Sequence, residues 1–397
     1  MKYNEWSVKI RTLVIFSHLK DNPVIQAFTQ LLDTDKKDTK QYVENYCTFL
    51  GALFPHETDF SKYLLKQVLN DENFYVHNVY TNKEQPALLK DAVFHELSLL
   101  EEISQITSKE LLEKVDYEGY LPTYQTSKLS FQDEYNSHLE NLPTQGYGMY
   151  AKYHTFGIKS GRLTPIKHPD RQRLSDLIGY ERERELVIRN TLAFLQGLSA
   201  NNALLYGDAG TGKSSTVKAI ANEYAKDGLR LVEVKKHQMK HLPDIIEELS
   251  GNPLKFIIFI DDLSFEGNDD SFIALKNILE GGIADTKANV LVYATSNRRH
   301  FVKENINDRN GEEIFRNDAI QETLSLAARF GLMVTFQKPQ KRLYLEIVDE
   351  LAKKNNITLP LDELHVQAEA FAIRNNGRSG RTAKQFIETV LINQTIK

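Results

Sequence analysis

The pattern of apolar and polar residues divides the chain near residue 177. Before about residue 145, apolar side chains recur at intervals of three and four residues, which places them on one face of a helix. One such series consists of Tyr42, Tyr46, Phe49, Leu50, Leu53 and Phe54. Similar series run through residues 60–69 and 86–104. The pattern therefore predicts a mainly helical N-terminal domain over residues 1–145.

Beyond residue 177, short apolar runs alternate with amphipathic segments. The runs that predict strands are 203–206, 229–234, 256–260, 290–294 and 332–336. The run 256–260 is apolar throughout, so we expect a strand that is buried on both faces. Strands separated by helices are typical of a parallel sheet with flanking helices, and this predicts an α/β fold.

After Pro339 the strand pattern stops, and residues 340–355, 362–375 and 380–394 predict three helices. The density of glycine and proline between residues 143 and 176 predicts a linker. Basic residues interleaved there could reach a phosphate or an acidic partner, although a solvated linker is the simpler interpretation. The predicted domains are 1–145 (helical), 146–176 (linker), 177–338 (α/β) and 339–397 (helical).

The composition narrows the class of protein. The chain has 397 residues, of which 41% are hydrophobic and 26% charged, and its net charge of −5 gives no global attraction to nucleic acid or acidic membranes. Its one cysteine, Cys47, fits a reducing compartment, and its apolar helical surroundings predict a buried, inert thiol. We see no secretion signal and no apolar stretch long enough to span a bilayer, so we expect a cytoplasmic protein without a membrane partner.

Residues 207–214 match the pattern G-x-x-x-x-G-K-[ST], between a predicted strand and a predicted helix. Glycines allow backbone N–H groups to converge on phosphates, and the N-terminus of the following helix favours an anion. Lys213 would place its charge on the phosphate oxygens, and the Ser214 hydroxyl is a candidate Mg²⁺ ligand. The predicted nucleotide-binding residues of this loop are Gly207, Asp208, Ala209, Gly210, Thr211, Gly212, Lys213, Ser214 and Ser215.

Polar residues follow two of the predicted strands. Asp261 and Asp262 come after the run 256–260, at the edge of a parallel sheet where ligands bind. Asp261 would hold Mg²⁺, largely through water, and Asp262 would orient or deprotonate the attacking water. Asn297 follows the next strand, where its amide could contact a phosphate or that water. The alternative is that these residues are ordinary turn and cap residues.

The order of these motifs resembles that of the AAA+ ATPases. The loop is followed by Asp261-Asp262, by Asn297, and by Arg329-Phe330-Gly331 before the fifth strand. A small helical C-terminal domain whose last helix opens with residues 377–382 extends the resemblance, which covers about 175–397. When residues 177–181 and 259–265 are considered with these motifs, the chain resembles one particular bacterial AAA+ group. That group is catalogued only as a domain of unknown function. The implied cofactors are ATP and Mg²⁺.

The resemblance also implies a role for each matching residue. The Walker A residues would be Gly207, Gly212, Lys213 and Ser214, and the Walker B residues Asp261 and Asp262. The remaining roles would be sensor 1 for Asn297, sensor 2 for Arg381, the arginine finger for Arg329, and the adenine pocket for Ile178 and Gly179. The finger would act on the ATP of a neighbouring subunit, which implies a homo-oligomer with shared active sites. Two alternatives stay open: Arg329 as a charge that complements a helix end, and Arg378 in place of Arg381.

One departure from the family pattern concerns the rate of hydrolysis. Many AAA+ proteins carry Asp-Glu at Walker B, whereas this chain carries Asp261-Asp262. The shorter second carboxylate must approach the water more closely, so turnover is expected to be slow. Its dependence on assembly is implied by the arginine finger of the neighbouring subunit. Glu266, Asp269 and Asp270 lie nearby in sequence and could take over the water-positioning role.

Three functions follow from these features. The first is an oligomeric ATPase that remodels an unknown protein client. The second is a DNA-associated helicase-loader or initiator-like ATP switch. The Asp-Asp pair and a basic cluster favour this function. That cluster consists of Lys235, Lys236, His237, Lys240 and His241, and a solvated surface is its simpler explanation. The third is a non-catalytic nucleotide-binding scaffold.

Overall fold

A computed structural model of the chain describes residues 2–81, 83–263, 270–279, 289–297, 328–375 and 377–395. The chain forms two compact units, Met1–Lys152 and Tyr153–Lys397. Among the described residues, no helix is both long enough and apolar enough to cross a membrane.

The first unit is helical, as the sequence predicts. Its helices are α1 (Lys2–Arg11), α2 (Pro23–Asp33), α3 (Thr39–Leu53), α4 (Phe60–Leu69), α5 (Phe74–Tyr80), α6 (Ala87–Ser104), α7 (Ser108–Leu112), α8 (Phe131–Glu140), α9 (Leu142–Gln145) and α10 (Gly148–Lys152). Several begin at a polar cap: the side chains of Asp38 and Asp59 accept backbone N–H groups in the first turns of α3 and α4. The rings of Phe28, Phe49 and Phe60 pack together in the core of this unit.

Cys47 lies on the exposed side of α3, so the prediction of a buried thiol is wrong. The neighbouring residue Tyr46 is fully buried, as is Phe49. Since consecutive helical residues are rotated by about 100°, Cys47 points away from the face that these aromatic rings occupy. The apolar composition of α3 indicates a buried face, but the phase of the helix places Cys47 outside it.

The second unit is built on a seven-stranded sheet. Its strands are β1 (Thr155–Lys159), β2 (Arg162–Pro165), β3 (Ala203–Gly207), β4 (Leu229–Val234), β5 (Lys255–Ile260), β6 (Val290–Ser296) and β7 (Leu332–Phe336). Their order is β2-β1-β4-β5-β6-β3-β7. All neighbouring strands are parallel except β1 and β2. The five predicted strands correspond to β3–β7, and β5 is buried as expected.

The first two strands lie within the range that the sequence assigns to a linker. β1 pairs with β4 in parallel, from Thr155 opposite Leu231 to Gly157 opposite Glu233. β1 and β2 form a hairpin whose turn contains Ser160 and Gly161, both at positive φ. The prediction of a linker over the whole of 146–176 is therefore wrong for β1 and β2. Glycine at a hairpin turn gives the same local signal as glycine in a linker, because both positions use its conformational freedom.

Helices flank the sheet and form a bundle at the C-terminal end. Those of the α/β part are α11 (Glu181–Leu195), α12 (Lys213–Glu223), α13 (Leu242–Ser250) and α14 (Asp270–Leu279). The bundle consists of α15 (Lys341–Lys354), α16 (Leu361–Arg374) and α17 (Gly380–Thr395), which match the three predicted helices. The bundle has a core of its own, in which Tyr344, Leu364 and Phe386 are buried.

Candidate nucleotide site

The loop between β3 and α12 has a backbone that only glycine can follow at two points. Gly207 has a φ of 128°, and a Cβ atom there would lie 2.2 Å from the carbonyl oxygen of Phe336. Gly212, which precedes α12, has a φ of 91° and no atom within 4 Å of an added Cβ. The space beside Gly212 is therefore open, and the first turn of α12 lies at this opening. This geometry fits a phosphate, since the helix terminus supplies N–H donors and a favourable dipole.

Lys213 is folded into this loop rather than extended into solvent. Its side chain is buried, and Nζ donates hydrogen bonds to the carbonyl oxygens of Gly207, at 3.0 Å, and Asp208, at 2.6 Å. Burial lowers the pKa of Lys213, and the carboxylates of Asp208, Asp262 and Asp261 oppose that shift. An ammonium group has three N–H donors, so a third can point to an anion in the loop.

Ser214 and Asp261 are adjacent, as the sequence predicts. The Ser214 hydroxyl donates to Oδ1 of Asp261 at 2.5 Å, across the gap between α12 and the end of β5. The same carboxylate oxygen accepts the hydroxyl of Thr295 at 2.6 Å. A hydroxyl beside a carboxylate offers the hard oxygen ligands that Mg²⁺ prefers. Within the described part of the chain, no group of three or more His, Cys, Asp or Glu side chains is placed to hold a metal ion.

Asp262 and Asn297 form the second polar pair at this edge. The Asn297 side-chain N–H donates to Oδ1 of Asp262 at 2.7 Å. The backbone of Asp262 has a φ of 53°, in the left-handed region that few residues other than glycine adopt. Its N–H donates to Oγ1 of Thr295 at 3.0 Å. The structure thus brings together the acidic pair and the amide that the sequence assigns to consecutive strands.

Thr295 is the residue of this site that sequence reasoning missed. Its position directly after the apolar run 290–294 suggests an ordinary buried β-branched residue at the end of a strand. The sheet register pairs Ile260 with Ala294, which places Thr295 level with Asp261. Pairing the apolar runs of β5 and β6 in sequence would have given this signal, because both runs end in polar residues.

The C-terminal bundle contacts the loop through the start of α17. The backbone N–H of Arg381 donates to the carbonyl oxygen of Gly210 at 3.2 Å. A Cβ atom on Gly210 would lie 3.1 Å from Oγ of Ser379 and 3.3 Å from Cβ of Arg381. Besides burial, the charge of Arg381 lowers the pKa of Lys213. Arg381 is therefore close to the loop in this chain.

Arg378, the alternative to Arg381, is engaged elsewhere. Its Nε and Nη2 donate to the two carboxylate oxygens of Glu369 at 2.8 and 2.6 Å. This two-point hydrogen bond lowers the pKa of Glu369. The structure thus places Arg381 beside the loop and pairs Arg378 with Glu369.

The segment between β7 and α15 is held by hydrogen bonds to Asp208 and Tyr180. Oδ2 of Asp208 accepts the backbone N–H of Lys338 at 2.8 Å. The hydroxyl of Tyr180 donates to the carbonyl oxygen of Gln337 at 2.7 Å. The loop and the segment after Gly179 are therefore both tied to the connection that leads into the bundle.

The other predicted binding residues lie in the loop, in the first turn of α12 or against the bundle. Ile178 packs against the core of the bundle, and a Cβ atom on Gly179 would lie 3.1 Å from Cδ1 of Leu343. Ala209 is exposed in the loop, and the buried Thr211 hydroxyl donates to the carbonyl oxygen of Asp208 at 2.9 Å. Ser215 lies in the first turn of α12.

The structure does not bring Arg329 to the loop of its own chain. Arg329 precedes β7, whose first residue, Leu332, pairs with Ala203, whereas Gly207 pairs with Phe336 at the other end. Four residues of strand separate the two edges by roughly 13 Å. Of the acidic residues proposed as substitutes for Asp262, Glu266 and Asp269 lie outside the described residues, and Asp270 is the first residue of α14.

The parallel sheet, the glycine loop before α12, the acidic pair after β5 and the helical bundle against the loop define an α/β P-loop NTPase fold of the AAA+ class. Residues 149–394 match the model of the family described as "Protein of unknown function (DUF815)". The match covers more than half of the chain, and the chain belongs to this family.

Solved structures with a similar arrangement include the Thermotoga maritima RuvB Holliday junction branch migration motor. It is 16% identical, with a TM-score of 0.37, and the match covers 55% of this chain and 63% of the RuvB chain. The chain thus spans less than two thirds of that protein. A structure described as the structural basis for katanin self-assembly is 19% identical, with a TM-score of 0.35, and the match covers 56% of this chain and 72% of the katanin chain.

Proposed function

We propose that the chain is a Mg²⁺-dependent AAA+ ATPase that hydrolyses ATP and uses the resulting conformational change to remodel a protein partner. The main support for this proposal is that the hydroxyls of Ser214 and Thr295 both donate hydrogen bonds to the same carboxylate oxygen of Asp261. These contacts join the phosphate loop to the ends of β5 and β6. A loop that only bound phosphate would not require the acidic pair and Asn297 beside it.

Each residue then has a role that follows from its position. The amides of the loop and Lys213 bind the β- and γ-phosphates, and Ser214 and Asp261 hold Mg²⁺, which neutralises charge on the phosphate oxygens. Asp262 orients the attacking water and accepts its proton, while Asn297 fixes the direction of the Asp262 carboxylate. Ile178 and Gly179 line the adenine pocket at the base of the bundle.

The contact of α17 with the loop supplies a route from nucleotide to conformation. Arg381 is tied through its backbone to Gly210, and its guanidinium would contact the γ-phosphate. Because loss of the γ-phosphate removes that contact, hydrolysis would change the position that the bundle prefers. This coupling supports a remodelling or switching activity. The client is unknown, and the cytoplasmic location remains a prediction.

The position of Arg329 supports an oligomer with shared sites. Since Arg329 lies at the opposite edge of the sheet from the loop, it would complete the site of a neighbouring subunit rather than its own. An arginine supplied by a neighbour stabilises the charge that develops in phosphoryl transfer. Hydrolysis would then depend on assembly, and the short side chain of Asp262 would keep it slow.

The test is a steady-state ATPase assay with the purified 397-residue chain, together with ATP affinity measured by calorimetry. Lys213→Ala removes the buried ammonium and should weaken ATP binding by about 100-fold, since a charge-assisted contact to phosphate is lost. Lys226→Ala, at an exposed position after α12, is the matched control and should bind ATP as the unmodified chain does. Equal ATP affinity in the Lys213 variant would refute the site assignment.

One observation favours the second candidate, a nucleic-acid-associated ATP switch. The side-chain amide of Gln238 donates to the carbonyl oxygen of Ile158 at 2.7 Å, which places the β1–β2 hairpin beside the basic segment 235–241. The exposed cations of the two elements are Lys159, Arg162, Lys235, Lys236 and Lys240. Such a surface would bind a phosphate backbone with a steep dependence on salt. DNA binding at low salt that Lys235→Glu abolishes and Lys226→Glu does not would support this function; absence of binding at low salt would exclude it.

A further inference from the structure

We propose that Thr295 is a positioning residue of the nucleotide site, whose hydroxyl aligns Asp261 and holds Asp262 in its left-handed conformation. The predicted effect of Thr295 on turnover rests on the proposed function. The predicted effect of Thr295 on the backbone of Asp262 rests only on the hydrogen bonds that the structure shows.

The hydroxyl of Thr295 acts both as a hydrogen-bond donor and as an acceptor. It donates its hydrogen to Oδ1 of Asp261 at 2.6 Å and accepts the backbone N–H of Asp262 at 3.0 Å. Thr295 is only 1% exposed, so water cannot readily replace either partner. A single side chain of β6 thus fixes the side chain of one aspartate and the backbone of the next.

The backbone around Asp262 explains why such a support is needed. A φ of 53° costs free energy even for aspartate, which adopts the left-handed region more readily than most residues with a Cβ atom, so contacts that hold this conformation stabilise the turn. The N–H of the following residue, Leu263, donates to the carbonyl oxygen of Thr295 at 2.7 Å. Two consecutive backbone N–H groups of the turn after β5 therefore donate to Thr295, one to its hydroxyl and one to its carbonyl oxygen.

Thr295 also differs from the other donor to Asp261. Ser214 shares the same carboxylate oxygen, but Ser214 is itself proposed to contact the metal. Thr295 lies inside the sheet and has no such second role. It is therefore the donor that keeps the Asp261 carboxylate oriented whichever partner Ser214 has.

The variant Thr295→Val removes the hydroxyl and keeps a β-branched side chain that suits a strand. Thr295→Ser keeps the hydroxyl and is the conservative rescue. Thr191→Val is the matched control, because Thr191 is also fully buried and its hydroxyl bonds to Tyr293 of β6, away from the site. Thermal melting verifies that each variant is folded, and Thr295→Ala replaces Thr295→Val if the valine variant does not fold.

The first measurement needs no hydrolysis. In the nucleotide-free chain, hydrogen exchange at the amide of Asp262 should be at least about 10-fold faster in Thr295→Val than in the unmodified chain, because that amide loses its acceptor. The amide of Ile260, inside β5, should be unchanged, and Thr295→Ser should restore protection. Unchanged exchange at Asp262 in Thr295→Val would overturn the proposal whether or not the chain hydrolyses ATP.

The second measurement concerns turnover. In Thr295→Val, kcat should fall by about 10- to 100-fold and the Mg²⁺ concentration for half-maximal activity should rise, with ATP affinity in the absence of Mg²⁺ within about 3-fold of the unmodified chain. Thr295→Ser and Thr191→Val should keep their kcat within about 3-fold. A valine variant with normal kcat and normal Mg²⁺ dependence would overturn the positioning role. A chain that exchanges as expected but never hydrolyses ATP would instead count against the proposed function.

Discussion

Arg378 and Glu369 form a two-point hydrogen bond within the C-terminal bundle, with donor–acceptor distances of 2.8 and 2.6 Å. This pairing distinguishes Arg378 from Arg381, which lies three residues later in the sequence and has different contacts. Arg378 joins α16 to the residues before α17. The backbone N–H of Arg381 instead donates to the carbonyl oxygen of Gly210 in the glycine loop. Arg378 therefore has a side-chain partner within the bundle, whereas the backbone of Arg381 contacts the glycine loop.

The two arginines should consequently respond differently to truncation. Arg381→Ala should lower ATP turnover by about 100-fold at unchanged melting temperature, since it removes a donor to the developing phosphate charge. Arg378→Ala should lower the stability of the nucleotide-free chain by about 1 kcal/mol, as expected for a partly exposed but bidentate pair, and should leave turnover within a few-fold. ATPase assays and melting curves of both variants test this. The opposite assignment of losses would identify Arg378 as the arginine that serves the site.

Asp262→Asn should separate nucleotide binding from hydrolysis. The amide keeps the size of the carboxylate and can still accept the hydrogen bond from Asn297, but it cannot take a proton from water. We expect ATP affinity within about 3-fold of the unmodified chain and turnover reduced by about 100-fold. Asp227→Asn, at an exposed position before β4, is the control and should be inert. Full turnover in Asp262→Asn would move the water-positioning role to another acidic residue.

The variant trapped with ATP also offers a way to identify the client. A remodelling ATPase that cannot hydrolyse should hold its partner longer, so affinity capture with Asp262→Asn in the presence of ATP should enrich proteins that Lys213→Ala does not. Enrichment of the same set by both variants would indicate contacts that do not depend on the nucleotide.

The position of Arg329 predicts complementation between defective subunits. Arg329→Ala alone should lose on the order of 1,000-fold in turnover if the arginine acts on a neighbouring site. Lys213→Ala alone should be inactive because it does not hold ATP. In mixtures, a loop from the first variant can meet an intact Arg329 from the second, and part of the activity should return. Activity that stays absent in mixed assemblies of verified composition would exclude a role in trans.

Local sequence patterns predict the centre of this site better than its surroundings. Lys213, Asp261 and Asn297 were predictable because each belongs to a short motif attached to an apolar strand. Thr295 was not predicted, because its role arises from the register between β5 and β6. The local sequence of the β1–β2 hairpin predicts a linker, because the pairing of β1 with β4 depends on residues more than 70 positions away in sequence. The exposure of Cys47 depends on the phase of α3 rather than on its composition.

Asp208 should act mainly through its hydrogen bond to the connection between β7 and α15. Its carboxylate accepts the N–H of Lys338, and its own N–H donates to the carbonyl oxygen of Phe336 at 3.0 Å. Asp208→Asn keeps an acceptor in place, whereas Asp208→Ala does not. We expect the alanine variant to lose about 1 kcal/mol of stability, which corresponds to a decrease of about 2–4 °C in the melting temperature of a unit of this size. The asparagine variant should melt within about 1 °C of the unmodified chain. Equal destabilisation of both variants would show that the negative charge of Asp208, which opposes the lowering of the Lys213 pKa, matters more than the hydrogen bond.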